Sequence, residues 1–208
     1  MLRHNPPNRN LKTKRRKRHQ RVFQAAAVAG EGDLAAVVAR AVREHISDPE
    51  YLAELAMWSG RHGSPAGVPA RNTPSAEQQG RFPARVFANP VLDQPAGVEA
   101  RDDAGVVLVL ATATDDPPAL LAAGEATGAV LLTATALGLA SCPLTEPLEL
   151  ADTRDEVRAK LLDGDGFPQM LLRIGWAALN ADPLPATPRR PLSEVAVRLD
   201  GSALQAQN

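Results

Sequence analysis

From Ala122 to Leu137 the chain carries a single charge, Glu125, among residues that are otherwise small, apolar or threonine. A helix of that composition has no polar face, so it is expected to be buried on every side and to lie at the centre of the fold. Gly124, Gly128 and the alanines would let its neighbours approach closely, and Gly128→Leu would overpack it. The preceding turn, Asp115-Asp116-Pro117-Pro118, suits a helix start, with the two acids in a solvated turn that favours the positive helix end. The helix runs out into Gly138-Leu139-Ala140-Ser141-Cys142-Pro143-Leu144, where a glycine allows backbone to come against something flat. Seventeen uncharged residues, Ala126 to Cys142, sit at the lower limit for a membrane span. Hydroxyls and glycines dilute them, and a buried helix without a membrane is the expectation.

Two apolar runs flank this segment. Val106 to Thr112 reads as a strand buried on both faces, and Gln169 to Gly175 as another. Few strands, long helices and long loops predict an α+β domain with a mixed sheet flanked by helices, and the crossover between the two runs is long enough for them to pair in parallel. Upstream, Leu34, Val37, Val38, Ala41 and Val42 mark one face of a helix ending near Ile46. Ser47 or Asp48 would cap the next helix, with Pro49 in its first turn and Tyr51, Leu52, Leu55, Met57 and Trp58 continuing a packed face. Ser59 to Pro83 is a long loop. Thr153 is expected to cap a helix ending at Leu162, terminated by Gly164-Asp165-Gly166, and a short helix or strand is expected around Glu194 to Leu199. No G-x-G-x-x-G follows a strand, and there is no P-loop.

With 208 residues and 44% apolar content, the chain is long enough for one domain with a substantial core. Residues 1–21 hold nine of its 23 basic residues and none of its 24 acids, leaving an acidic body behind a basic head. Residues 1–16 are therefore expected to form a disordered arm, 17–200 the domain, and 201–208 a frayed tail. The lone Cys142 excludes an intramolecular disulfide and suits a reducing compartment. No secretory leader is read at the start, so a cytoplasmic location is expected.

Nucleophilic and metal chemistry find little support in the sequence. Cys142 sits in an apolar turn and reads as a small buried thiol. His4, His19, His45 and His62 share no metal-ligand spacing, so no metal site is expected.

The helix 122–137, the turn 138–144, the strand 169–176 and the Pro188-Arg189-Arg190-Pro191 exit together resemble the flavin-dependent nitroreductase family, and more narrowly its Acg-type actinobacterial members. The resemblance covers residues 81–195 and extends to 48–68. It implies an FMN cofactor, NAD(P)H as electron donor, and flavin bound at the interface of a homodimer. Nitroreductases place a Gly-Leu-Gly-like turn beside the flavin, which carries over to Gly138, Leu139, Ala140 and Ser141. The departure is Ala140, where a second glycine is usual. A basic residue near the C-terminus holds the flavin phosphate, which points to Arg189 and Arg190. An Arg-Arg-Ser-x-Arg-like opening does the same, and Lys17 and Arg18 lie in a similar segment with His19 in place of the hydroxyl. Acg-type chains look like two fused halves, of which this chain corresponds to the second, and the first half's His-Asn-Thr-Gln-Pro-Trp-like segment is not found.

These residue types suit a flavin enzyme chemically. The cofactor performs the redox step, and the protein supplies backbone donors near the ring and cations on the phosphate. The leading expectation is thus an FMN-dependent oxidoreductase passing electrons from NAD(P)H to a nitroaromatic or quinone-like acceptor. The alternatives are a flavin-free relative that sequesters a ligand or acts in stress, and non-specific nucleic-acid binding through the basic arm. The last is disfavoured by the acidic body and by the lack of aromatics among the cations.

Overall fold

The computed structural model describes residues 24–27, 31–74, 82–83, 85–92, 105–176 and 186–202. The expected arm at residues 1–16, together with Lys17 and Arg18, lies outside the described residues.

Two strands dominate. β2 (Val106–Thr112) and β4 (Phe167–Gly175) pair antiparallel, Val106 opposite Ile174 and Val109 opposite Leu171. β1 (Gln24–Ala27) adds to the free edge of β2, and β3 (Ala140–Pro143) to that of β4, giving the order β1-β2-β4-β3 with every pair antiparallel. The expected parallel pairing of β2 with β4, and with it the mixed sheet, is corrected. Both β2 and β3 run antiparallel to β4, so they are parallel to each other. The long helix therefore does connect two parallel strands, β2 and β3, but β4 inserts between them.

Side-chain alternation sorts the sheet residues into two cores. Val107, Val109 and Leu171 face helix α1 (Glu31–Ile46) and helix α4 (Ala151–Leu162), packing with Leu34, Val37, Val38, Val42 and Val157. Leu110 and Leu172 face the other way, onto Ala126 and Val130 of helix α3 (Pro117–Ala136). The result is an α+β arrangement of three layers, and the expected apolar stripe of α1 is buried as read.

α3 begins where expected. Asp116 caps it by accepting a hydrogen bond from the Ala119 N–H, and Pro117 and Pro118 occupy the first turn. Its burial is corrected. Only Ala119, Ala123, Ala126 and Ala134 are buried, one stripe at helical spacing against the sheet. On the opposite side Leu121 is 68% exposed and Leu132 74% exposed, and a Cβ added at Gly128 would meet no atom within 4 Å. Among the described residues nothing is there for Gly128→Leu to overpack. Length and composition would also let α3 cross a membrane; in this fold it lies along the sheet.

Helix α2 (Pro49–Trp58) is capped by Asp48, whose carboxylate accepts from the N–H groups of Glu50 and Tyr51. It buries none of its residues fully: Tyr51 and Leu55 are half-buried while Leu52, Met57 and Trp58 are exposed, so only part of the expected packed face forms. The loop after it folds back on its own backbone: Val68 N–H donates to the Trp58 carbonyl, Arg61 N–H to that of Val68, and Thr73 is fully buried. The cap of α4 is also corrected. Leu150 takes that position, while Thr153 sits inside the first turn with its hydroxyl donating to the Pro147 and Leu150 carbonyls. Near the C-terminus the only helix among the described residues is the short α5 (Leu192–Val195).

Asp115 does more than solvate a turn. Its carboxylate takes both Nη groups of Arg154 at 2.7 and 2.8 Å and the Gln169 amide at 2.8 Å, clamping the start of α3 to α4 and β4. These hydrogen bonds, Arg154 foremost, hold its pKa at about 2, below the ordinary 3.8. A depressed carboxylate stabilises the fold above its unfolded pKa, and that contribution is lost as pH falls through its folded one. Thermal melts of the wild type should therefore lose stability between about pH 4 and pH 2 at this site. Asp115→Asn should be less stable than wild type at neutral pH, and the difference should shrink across that window.

Candidate functional site

At the C-terminal end of α3 an open groove of about 570 Å³ lies between the helix and the sheet. Val106, Leu108 and Ile174 line it from the sheet, and Leu137, Leu139 and Trp176 from the end of the helix, the turn and the end of β4. Its surface is predominantly hydrocarbon, and Trp176 is 78% exposed beside it. An apolar, partly open concavity with flat strand and aromatic surfaces suits a planar organic ligand.

The turn singled out in the sequence borders this groove, but its backbone is committed differently from the expectation. Gly138 has φ +71°, and its N–H donates to the Thr135 carbonyl, while the Leu139 N–H donates to that of Ala134. This pair of bonds is a Schellman cap, which ends α3 and uses both donors. Gly138 and Leu139 thus have no backbone N–H left for a ligand, although the Leu139 side chain lines the groove. Ala140 and Ser141 pass into β3, opposite Gly175 and Ile174, and are exposed. Cys142, expected to be buried, is exposed on the same strand.

Arg189 and Arg190 are both exposed and lie elsewhere in the hydrogen-bond network. Arg189 donates to the Thr187 and Pro188 carbonyls, and Arg190 pairs with Glu194 at 3.3 Å. Their segment is tied to the turn at Ala70–Asn72, where Arg71 donates to the Ala186 carbonyl. Among the described residues no hydrogen bond or ion pair joins these arginines to residues 138–141.

Sequence spacing missed a second cluster. His45, at the end of α1, hydrogen-bonds through Nδ1 to Glu146 Oε1 at 2.9 Å, across 101 residues. Arg85 donates to the other oxygen of Glu146 at 2.8 Å and to Glu149 at 2.5 Å. Tyr51 stacks on the His45 ring, centroids 4.1 Å apart, and its hydroxyl reaches Glu146. Burial first, then Glu146, pushes the Tyr51 pKa well above the usual phenol range, so this hydroxyl remains a donor. Burial works against the Arg85 charge, but the two carboxylates outweigh it and raise its pKa. The only local hint was Glu146 and Glu149 at helical spacing, which equally suits a solvated turn.

With this α+β fold and the apolar groove beside its edge-strand turn, the chain belongs to the nitroreductase family, whose pattern matches residues 33–176. It is 59% identical over 160 residues to "Putative NAD(P)H nitroreductase Rv3131" of Mycobacterium tuberculosis, covering 77% of this chain and 46% of that protein. It is 38% identical over 148 residues to "Putative NAD(P)H nitroreductase acg" of the same organism, covering 71% and 44%. A third relative there, "Uncharacterized protein Rv3127", is 39% identical over 155 residues. The chain spans about half the length of the curated relatives it matches.

The cap at Gly138 gives a direct test of the turn. A Cβ there meets no atom of the described residues within 4 Å, so Gly138→Ala tests the backbone preference. A left-handed φ disfavours alanine by about 1 kcal/mol, which for a chain of this size lowers Tm by about 2–4 °C in a thermal melt.

Proposed function

We propose that this chain is a subunit of a cytoplasmic FMN-dependent oxidoreductase that takes electrons from NAD(P)H and passes them to a small nitroaromatic or quinone-like acceptor. The observation that carries the reading is the apolar groove beside the 138–144 turn, in a chain of the nitroreductase family. FMN, when bound, supplies the electron transfer itself. The side chains of Val106, Leu139, Ile174 and Trp176 would exclude water from one side of the flat ring and position it against the sheet. A backbone donor would come from Ser141 on the outer edge of β3, since the N–H groups of Gly138 and Leu139 cap the helix and the strand register turns that of Ala140 toward β4. These features fit the ring. The phosphate needs cations, for which Arg189 and Arg190 are the candidates here, with Lys17 and Arg18 outside the described residues.

We place a homodimer contact on the outward face of α3. Leu121 and Leu132 are exposed there, and Gly124 and Gly128 leave a channel in which no atom lies within 4 Å of an added Cβ. Small residues four apart let another helix approach closely, and large ones beside them fill its flanks. Gly128→Leu should leave the monomer folded and weaken the dimer. Sedimentation at micromolar concentration would show wild type as a dimer and the variant shifted toward monomer; a monomeric wild type would remove this contact.

A second reading, a flavin-free relative that holds another ligand, is favoured by the spent N–H groups of Gly138 and Leu139 and by the engagement of Arg190 with Glu194. Titration with FMN separates the two. If the arginines hold the phosphate, Arg189→Ala and Arg190→Ala should each weaken binding about ten- to a hundredfold, or about 1.5–3 kcal/mol. Equal affinity in all three proteins would take these arginines out of the site, and no binding by any of them would favour the flavin-free relative.

A further inference from the structure

The ionic cluster around His45 lies apart from the groove and borders a separate cavity of about 490 Å³, whose wall includes Asp48, Tyr51, Glu54, Trp58 and Arg85. A carboxylate only accepts hydrogen bonds, so the 2.9 Å contact to Glu146 Oε1 requires His45 Nδ1 to carry a proton. In the neutral ring this leaves Nε2 with a lone pair, facing Glu149 Oε2 at 3.9 Å. That separation is too long for a hydrogen bond. Two bonds of about 2.0–2.2 Å at the tetrahedral angle hold a nitrogen and an oxygen about 3.3–3.5 Å apart, so a single ion between these atoms needs them to close by only about half an ångström.

Three further features belong to a metal centre. The ring is 5% exposed and is oriented by a buried carboxylate on its other nitrogen, the arrangement that fixes the tautomer of metal-binding histidines. The far oxygen of Glu149 is held by Arg85 and by the Thr145 hydroxyl, leaving Oε2 toward His45. The local charge is also unbalanced. Glu146 and Glu149, with Asp48 and Glu54 on the cavity wall, face Arg85 as the one permanent cation among the cavity-lining and cluster residues described.

We propose that His45 Nε2 and Glu149 Oε2 bind a divalent transition-metal ion of the zinc class, with Glu146 orienting the imidazole and water from the cavity completing the coordination. One ligand atom from each of His45, Glu146 and Glu149 already lies within 4.8 Å of the other two. The mixed imidazole and carboxylate donors favour zinc over magnesium, which prefers an all-oxygen shell. The ion would join the end of α1 to the turn before α4.

Calorimetric titration of the tag-free full chain with zinc chloride tests this. One zinc per chain is expected, with His45→Gln and Glu149→Gln each weakening it at least tenfold, the exposed His62→Gln leaving it unchanged, and magnesium failing to compete. Should His45→Gln not fold, Glu149→Gln, at a side chain 33% exposed, carries the comparison. Absence of zinc binding in wild type, or equal affinity in the Glu149 variant, would falsify the site and leave the cluster as an ion-pair network.

Discussion

The pairing of β2 with β4 is the constraint on which the rest of the molecule depends. These strands come from segments more than fifty residues apart, yet seven positions of β2 find partners on β4. Once paired, their alternating side chains must go to two opposite cores. One is closed by α1 and α4, the other by the alanine stripe of α3. β3 can join only at the remaining edge of β4, which fixes where α3 must end and where the turn at Gly138 must lie. The apolar groove is the space left where that helix, that turn and the ends of β2 and β4 meet. Its position is thus a product of sheet register rather than of any local motif.

Much of this was legible residue by residue. The stripe on α1 named its own buried face because its period matched the helix. Asp48, Asp116 and the prolines behind them announced two helix starts through local hydrogen bonding. Pairing direction was not legible: the apolar runs of β2 and β4 record burial on both faces and carry no mark of which strand lies beside which. The burial of α3 was overread for a related reason. A helix of alanine, glycine and leucine tolerates cover on all sides, but its composition does not say what provides it, and the described residues cover only the sheet side.

The candidate site divides in the same way. Gly138 was recognisable as a special backbone position, and it is one, but its conformation serves the end of the helix and consumes the neighbouring donors. The family resemblance placed the flavin ring beside a turn that does border an apolar groove, whereas the arginines proposed for the phosphate are bonded within their own segment. His45 and Glu146 could not have been paired from sequence, because helical and motif spacings reach a few residues and these two are separated by 101. Only the docking of α1 against the turn before α4 brings them together.

The brevity of β3 has a consequence for how copies of this chain can associate. An outer strand with open hydrogen-bonding groups is a template on which another chain can grow a sheet. Here the template is four residues long and ends in Pro143, which has no N–H to give. An incoming strand would gain few bonds before running into that proline. Edge-to-edge growth, the first step toward fibrils, is thereby discouraged along this border, and self-recognition is left to surfaces made of side chains.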